Sequence, residues 1–118
     1  MTASNHLSGP QFGTYYHGSS HVFDPGQELT PHGAPESYRT GHVWAAGKPL
    51  LAARHAYSRQ VPGAPGRVYE VHAMADDVEA DPIMRGTSSV RSPTGFRVVR
   101  DLGNAEDLLF PPRSRKTA

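Results

Sequence analysis

Phe12-Gly13-Thr14-Tyr15-Tyr16-His17-Gly18-Ser19-Ser20 is the stretch whose reading decides the fold. Aromatic and β-branched side chains crowd its first half, a composition that suits a pleated, half-buried surface and predicts a short strand. The strand is expected to stop at His17-Gly18, where two hydroxyl side chains follow a residue without a Cβ. Alternation places Tyr15 and His17 on one face, Thr14 and Tyr16 on the other. At such a strand end Gly18 lets the backbone turn and lets a ligand approach its amide. An imidazole and an uncovered peptide edge delivered to one place can grip a polar heterocycle. A plain strand end with a solvent-facing histidine shows the same local pattern.

Outward from this segment, three further strands are predicted at His42-Val43-Trp44-Ala45-Ala46, at Arg67–Met74 and at Gly95–Arg100. Between the first two of these, Gly47-Lys48-Pro49 opens a helix through Arg59, since proline suits the first helical turn. Its apolar stripe reads as Leu50, Ala53 and Tyr57, with Arg54 and Arg59 towards water. Asp24-Pro25-Gly26 signals a turn, residues 32–41 a long exposed loop, and Val61–Gly66 a turn-rich connection. The run Asp76-Asp77-Val78-Glu79 reads as a solvated acidic loop, and Met84–Pro93 as a further loop. Asp107–Phe110 reads as a last short strand or turn before Pro111-Pro112. Several strands with one helix predict an α+β fold on a mostly antiparallel or split sheet with long loops. One domain over residues 11–110 is expected, with a flexible N-terminus at 1–10 and a flexible basic tail at 111–118 carrying Arg113, Arg115 and Lys116.

Composition narrows the function classes. The chain has no cysteine, which removes disulfides and thiolate metal sites. Seven histidines are present, but the pair spaced i, i+4, His17 and His21, lies across a Gly-Ser-Ser turn and not on a helix, so no metal is expected. A formal net charge of +1 argues against a dedicated nucleic-acid binder. No apolar run approaches the ~20 residues of a membrane helix, and no secretory leader is visible, so a cytoplasmic location is the expectation.

Seven fragments then follow one another in order: Tyr16-His17-Gly18-Ser19, Pro25-Gly-x-x-Leu29-x-Pro31, His42-Val43-Trp44, Gly66-Arg67-Val68-Tyr69-x-Val71, Val78-Glu79-Ala80-Asp81-Pro82, Ser89-x-Arg91-Ser92 and Phe96-Arg97-Val98-Val99. The ordered set resembles the rifampin ADP-ribosyltransferase family, small members of the NAD-dependent ADP-ribosyltransferase superfamily. The resemblance covers residues ~12–101. It implies a compact split-sheet fold with NAD as co-substrate and no metal. By the same resemblance His17 meets a ribose hydroxyl, Gly18 offers backbone groups to the nicotinamide amide, and Ser19 assists at the ribose. Trp44 falls where the family usually has tyrosine and stacks on nicotinamide, keeping the π-face without the phenol hydroxyl. Asp81 falls on the acidic position, which makes Asp81 and His17 the catalytic candidates.

The chemistry explains why such residues are needed. Cleaving the nicotinamide–ribose bond makes the ribose carbon oxocarbenium-like, so a nearby carboxylate such as Asp81 stabilises the transition state. His17 positions the sugar and lowers the entropic part of the barrier. Arg67, Arg91 and Lys48 are the cationic candidates for the phosphates, and the residues alone do not select among them. The implied acceptor is a small rifamycin-type hydroxyl compound; a protein or nucleic-acid acceptor, and a non-catalytic NAD- or ADP-ribose-binding module, are the alternatives. Two structural readings compete locally: a lone tryptophan often belongs to the core, and aspartate before proline is a common turn former.

Overall fold

The computed structural model describes residues 12–32 and 41–111. The expected N-terminal tail at 1–10, residues 33–40 of the long loop and the basic tail beyond Pro111 lie outside these described residues. Among the described residues seven strands and two helices follow in the order β1 (Thr14–Ser19), β2 (Glu28–Leu29), β3 (Val43–Ala46), α1 (Pro49–Arg59), β4 (Arg67–Ala73), β5 (Glu79–Ala80), β6 (Ser89–Ser92), β7 (Phe96–Asn104) and α2 (Ala105–Leu109). The strands form one antiparallel sheet in the order β2-β7-β4-β1-β3-β6-β5.

The seam between β1 and β3 is narrow. β1 pairs with β4 over six residues, from Thr14↔His72 to Ser19↔Arg67. β3 pairs with β6 over four, from Val43↔Ser92 to Ala46↔Ser89. Between β1 and β3 a single pair, Tyr16↔Ala46, joins the two halves. The sheet therefore divides into a four-stranded part and a three-stranded part.

β4 is the centre of the larger part, and both its faces are covered. Val68 points to α1 and α2, where Ala46, Ala52, Ala53, Ala56 and Ala105 are buried with it. Tyr69, Val71 and Ala73 point the other way, onto Phe23, Leu29, Val43, Phe96 and Val98. The helix face differs from the expected stripe. Leu50 is 54 % exposed and Tyr57 38 %, while Ala52, Ala53 and Ala56 are the buried residues. The cause is close approach: a Cβ on Gly18 would lie 2.1 Å from the carbonyl oxygen of Ala52, and one on Gly66 2.4 Å from that of Ala56. A helix seated this closely on the strands has room only for alanine beneath it.

Other elements also depart from the sequence reading. β1 continues past His17-Gly18 because β4 supplies a partner as far as Ser19. β5 and β6 arise in stretches read as loops; their polar Ser89, Arg91 and Glu79 gave no apolar alternation, and the strands form because β3 offers an edge to pair. Asp107–Phe110 lies in and just after the short helix α2, anchored by buried Ala105, with Glu106 and Asp107 in a first turn that favours acidic residues. No helix among the described residues is long and apolar enough to cross a membrane.

Candidate functional site

Backbone direction at the seam follows from the ladder. The carbonyl of Gly13 accepts a hydrogen bond from the amide of Ala73, and the β1–β4 register then runs without a shift. Alternation turns the peptide groups of Tyr15, His17 and Ser19 towards β4 and those of Tyr16 and Gly18 towards β3. On the other bank the amide of Gly47 bonds Ser88, so Val43, Ala45 and Gly47 address β6 while Trp44 and Ala46 address β1. Beyond Tyr16↔Ala46 the strands cease to pair, although Gly18 and Trp44 still turn their peptide groups to each other's side. A side chain enters there. His17 Nδ1 donates to the Trp44 carbonyl at 2.7 Å. A carbonyl only accepts, so the proton of this bond is on Nδ1.

Gly18 thus has two separate functions. Its missing side chain makes room for α1, whereas its peptide group, in a buried residue, turns towards β3. The sequence reading tied the glycine to ligand approach; the steric demand comes instead from Ala52.

The segment after β1 is held against His17 from the opposite side. His21 N–H donates to Ser19 Oγ at 3.0 Å, a local turn that engages the buried Ser19 hydroxyl as acceptor. Tyr69, which pairs across from His17, donates its phenol hydrogen to the His21 carbonyl at 2.9 Å and accepts from Phe23 N–H at 3.1 Å. Phe23 packs edge-on against Tyr69 and lies 6.0 Å, centroid to centroid, from the imidazole. Burial pushes the Tyr69 phenol above its ordinary pKa, further than the hydrogen bond from Phe23 lowers it. Tyr69 therefore remains a neutral hydrogen-bonding strut at physiological pH.

The three-stranded part carries a different set of groups. Val43 and Ala45 belong to the cluster around Phe23, and Ala46 to the helix-side cluster, so Trp44 leaves β3 on the helix side. Register places Arg91 of β6 beside Trp44, and Glu79 of β5 beside Arg91, on that same face. The Arg91 guanidinium lies over the indole, 5.8 Å from its centroid, and its Nε donates to Glu79 Oε2 at 2.5 Å. His42 reaches the same carboxylate, its Nε2 3.9 Å away. Trp44 is half-buried, with a face on this charged row, and does not belong to the core.

Asp81 stands one row further along this face, since its amide extends the β5–β6 ladder by bonding Ser89 O at 2.9 Å. Its side chain is buried, at 4 % exposure. Oδ1 accepts from Ile83 N–H at 2.8 Å and Oδ2 from Ser89 Oγ at 2.9 Å, the bonds of a turn former. An ionised carboxylate has about four lone-pair sites, so two acceptor sites remain.

Of the sequence-derived residues, His17 and Trp44 are in contact, but through the imidazole and a backbone carbonyl. The imidazole and the indole leave the sheet on opposite faces, one on each side of the split. Gly18 borders the same split, Ser19 closes a turn beside it, and Asp81 lies two strands beyond β3. Sequence reasoning took Glu79 for loop solvation and left Arg91 unselected. Their pairing was legible only from the β5–β6 register. Among the described residues no group of three or more potential ligands is placed to hold a metal ion. A groove of about 460 Å³ lies elsewhere, between the 60–65 turn and α2, lined by Gln60, Pro62, Asn104 and Glu106 among others. It brings together none of the candidate groups. Comparison with known proteins finds no family model that matches the chain, and no curated protein that matches it.

Proposed function

We propose that the split between β1 and β3 binds NAD and that the protein transfers ADP-ribose from NAD to an acceptor hydroxyl, releasing nicotinamide. One observation carries the reading: pairing between β1 and β3 stops after Tyr16↔Ala46, where the imidazole of His17 is fixed on the Trp44 carbonyl and the Gly18 peptide group turns towards β3. A carboxamide has one acceptor and two donors, the complement of a strand edge that offers an N–H and a C=O. Gly18 suits the nicotinamide amide in that role. By the resemblance His17 is the residue that meets a ribose hydroxyl, and the indole of Trp44 offers a stacking surface worth about 1 kcal/mol.

In the transfer, the C–N bond between ribose and nicotinamide breaks, the electron pair leaves with nicotinamide, and an acceptor oxygen bonds to the ribose carbon while losing its proton. The resemblance alone assigns Asp81, two strands beyond β3, the carboxylate role at the oxocarbenium-like ribose and at the acceptor proton. The resemblance of the ordered fragments favours a small rifamycin-type acceptor; a protein or nucleic-acid acceptor is the alternative substrate class.

Asp81 also favours a second reading, a non-catalytic NAD- or ADP-ribose-binding module. Its carboxylate is buried and already closes a turn with Ile83 and Ser89. Incubation with NAD and rifampin, followed by mass spectrometry, separates the two. Transfer predicts rifampin carrying one added ADP-ribose, together with free nicotinamide, and loss of both in Asp81→Ala with NAD binding retained. NAD binding without nicotinamide release, across a panel of hydroxyl acceptors, would establish the module instead.

A further inference from the structure

We propose that Arg91 is the residue that binds the pyrophosphate of the dinucleotide, an assignment that rests on the NAD reading above. Three cations are near enough in the chain to compete for that role, and their surroundings differ. Each nitrogen of Arg67 already has a protein partner: Nε and Nη2 both bond Asp101, at 3.0 and 2.5 Å, and Nη1 bonds Asn104 at 3.0 Å. Lys48 is exposed at the N-cap of α1, a flexible point charge with no planar fork.

Arg91 is held at one edge only. Among the described residues its hydrogen bond and its ion pair both run through Nε to Glu79, which leaves the two Nη groups for a ligand. Its plane is oriented a second time by the Trp44 indole beneath it. A guanidinium fixed by a carboxylate and an aromatic face, with its terminal N–H groups uncommitted, is preorganised for bidentate recognition of phosphate oxygens. It also lies on the strand next to the indole proposed to hold nicotinamide, so base and pyrophosphate fall on adjacent strands. Glu79 is the built-in competitor, a negative charge that the incoming phosphates must tolerate.

Trp44 is the only tryptophan in the chain, so its fluorescence reports on this row directly. NAD, ADP-ribose and nicotinamide are titrated against wild type, Arg91→Ala, Arg91→Lys and Glu79→Gln, with calorimetry as the second readout. Arg91→Ala is expected to raise Kd for NAD and ADP-ribose at least tenfold and to leave Kd for nicotinamide, which has no phosphate, within twofold. Arg91→Lys should fall between wild type and alanine. Glu79→Gln keeps an acceptor for Nε and removes the charge, so ADP-ribose should bind two- to fivefold tighter. Wild-type NAD binding with ADP-ribose affinity unchanged in Arg91→Ala overturns the assignment and leaves the NAD site standing. Equal weakening of all three ligands in Arg91→Ala overturns it as well, since that marks a general disturbance of the row. A wild-type protein that gives no saturable response to NAD overturns both.

Discussion

The two parts of the sheet use their charged residues in opposite ways. In the four-stranded part, Arg67 bonds Asp101 and Asn104 through all three nitrogens, and helices and loops cover both faces of β4. In the three-stranded part, β5 has two residues, β6 is flanked by serines, and Arg91 bonds Glu79 through one nitrogen while resting on Trp44. A guanidinium with all three nitrogens engaged serves the fold; one tethered through a single nitrogen is available to a ligand. The larger part thus carries the stability, and the smaller part, with the edge of β1, carries the candidate site.

Substitutions of glycine should separate the two parts most sharply. Gly18→Ala forces a Cβ against the backbone of Ala52, so a loss of about 3 kcal/mol is expected in denaturant unfolding. In Gly47→Ala, on the smaller part, the new Cβ meets Ser88, its Cβ at 3.3 Å and its carbonyl oxygen at 3.6 Å, and stability should change by no more than about 0.5 kcal/mol. Equal losses at the two positions would contradict the division.

Tyr69→Phe comes next in size. It leaves the Phe23 amide and the His21 carbonyl without the phenol, at a cost of about 1–3 kcal/mol. Hydrogen exchange should then quicken at Phe23 before it quickens in β4. Uniform quickening across the sheet would mean that the phenol supports the whole fold, not the segment over His17.

A pair of arginine replacements gives a smaller contrast. Arg67→Ala should cost about 1 kcal/mol, because three hydrogen bonds to two partners are lost. Arg91→Ala should cost less than about 0.5 kcal/mol, the ordinary worth of a partly exposed pair. The reverse order would make Arg91 a structural residue.

The smallest effect concerns acid. Burial raises the Asp77 carboxyl, but hydrogen bonds from Ser92 and from the amide and hydroxyl of Thr94 outweigh it and hold its pKa below the ordinary 3.8. A depressed pKa means the unfolded chain binds the proton more readily. The stabilisation is therefore complete above the ordinary value and fades as pH falls through the lower, folded-state value. Asp77→Asn should flatten this acid-side slope, seen by denaturant unfolding at pH 5 and pH 2.5, with a change well under about 1 kcal/mol.

Legibility in the sequence followed side-chain composition. β1, β4 and β7 of the larger part and β3 of the smaller carry aromatic or β-branched residues, so they could be read, with errors at their ends, whereas the two-residue β2 was not. α1 was read at nearly its true bounds, but its buried face was not, because Leu50 and Tyr57 outweigh three alanines on any hydropathy pattern. Only the approach of Gly18 and Gly66 to the helix backbone makes those alanines the contact surface. β5 and β6 were missed since Glu79, Ser89 and Arg91 form strands through an available edge and not through apolar periodicity. At the site, types and order of residues pointed to His17, Gly18, Trp44 and Asp81. The carbonyl of Trp44 as the contact of His17, and the turn closed by Asp81, depend on pairing between distant strands.

The central claim is that the split between β1 and β3 beside Gly18 is a dinucleotide site. Amide-resolved NMR during titration with NAD tests it most directly. The account predicts saturable shifts at the Gly18 amide and the Trp44 indole N–H, with little change around Gln60 and Asn104. No saturable shift at Gly18 and Trp44, or shifts confined to the groove between the 60–65 turn and α2, would contradict it.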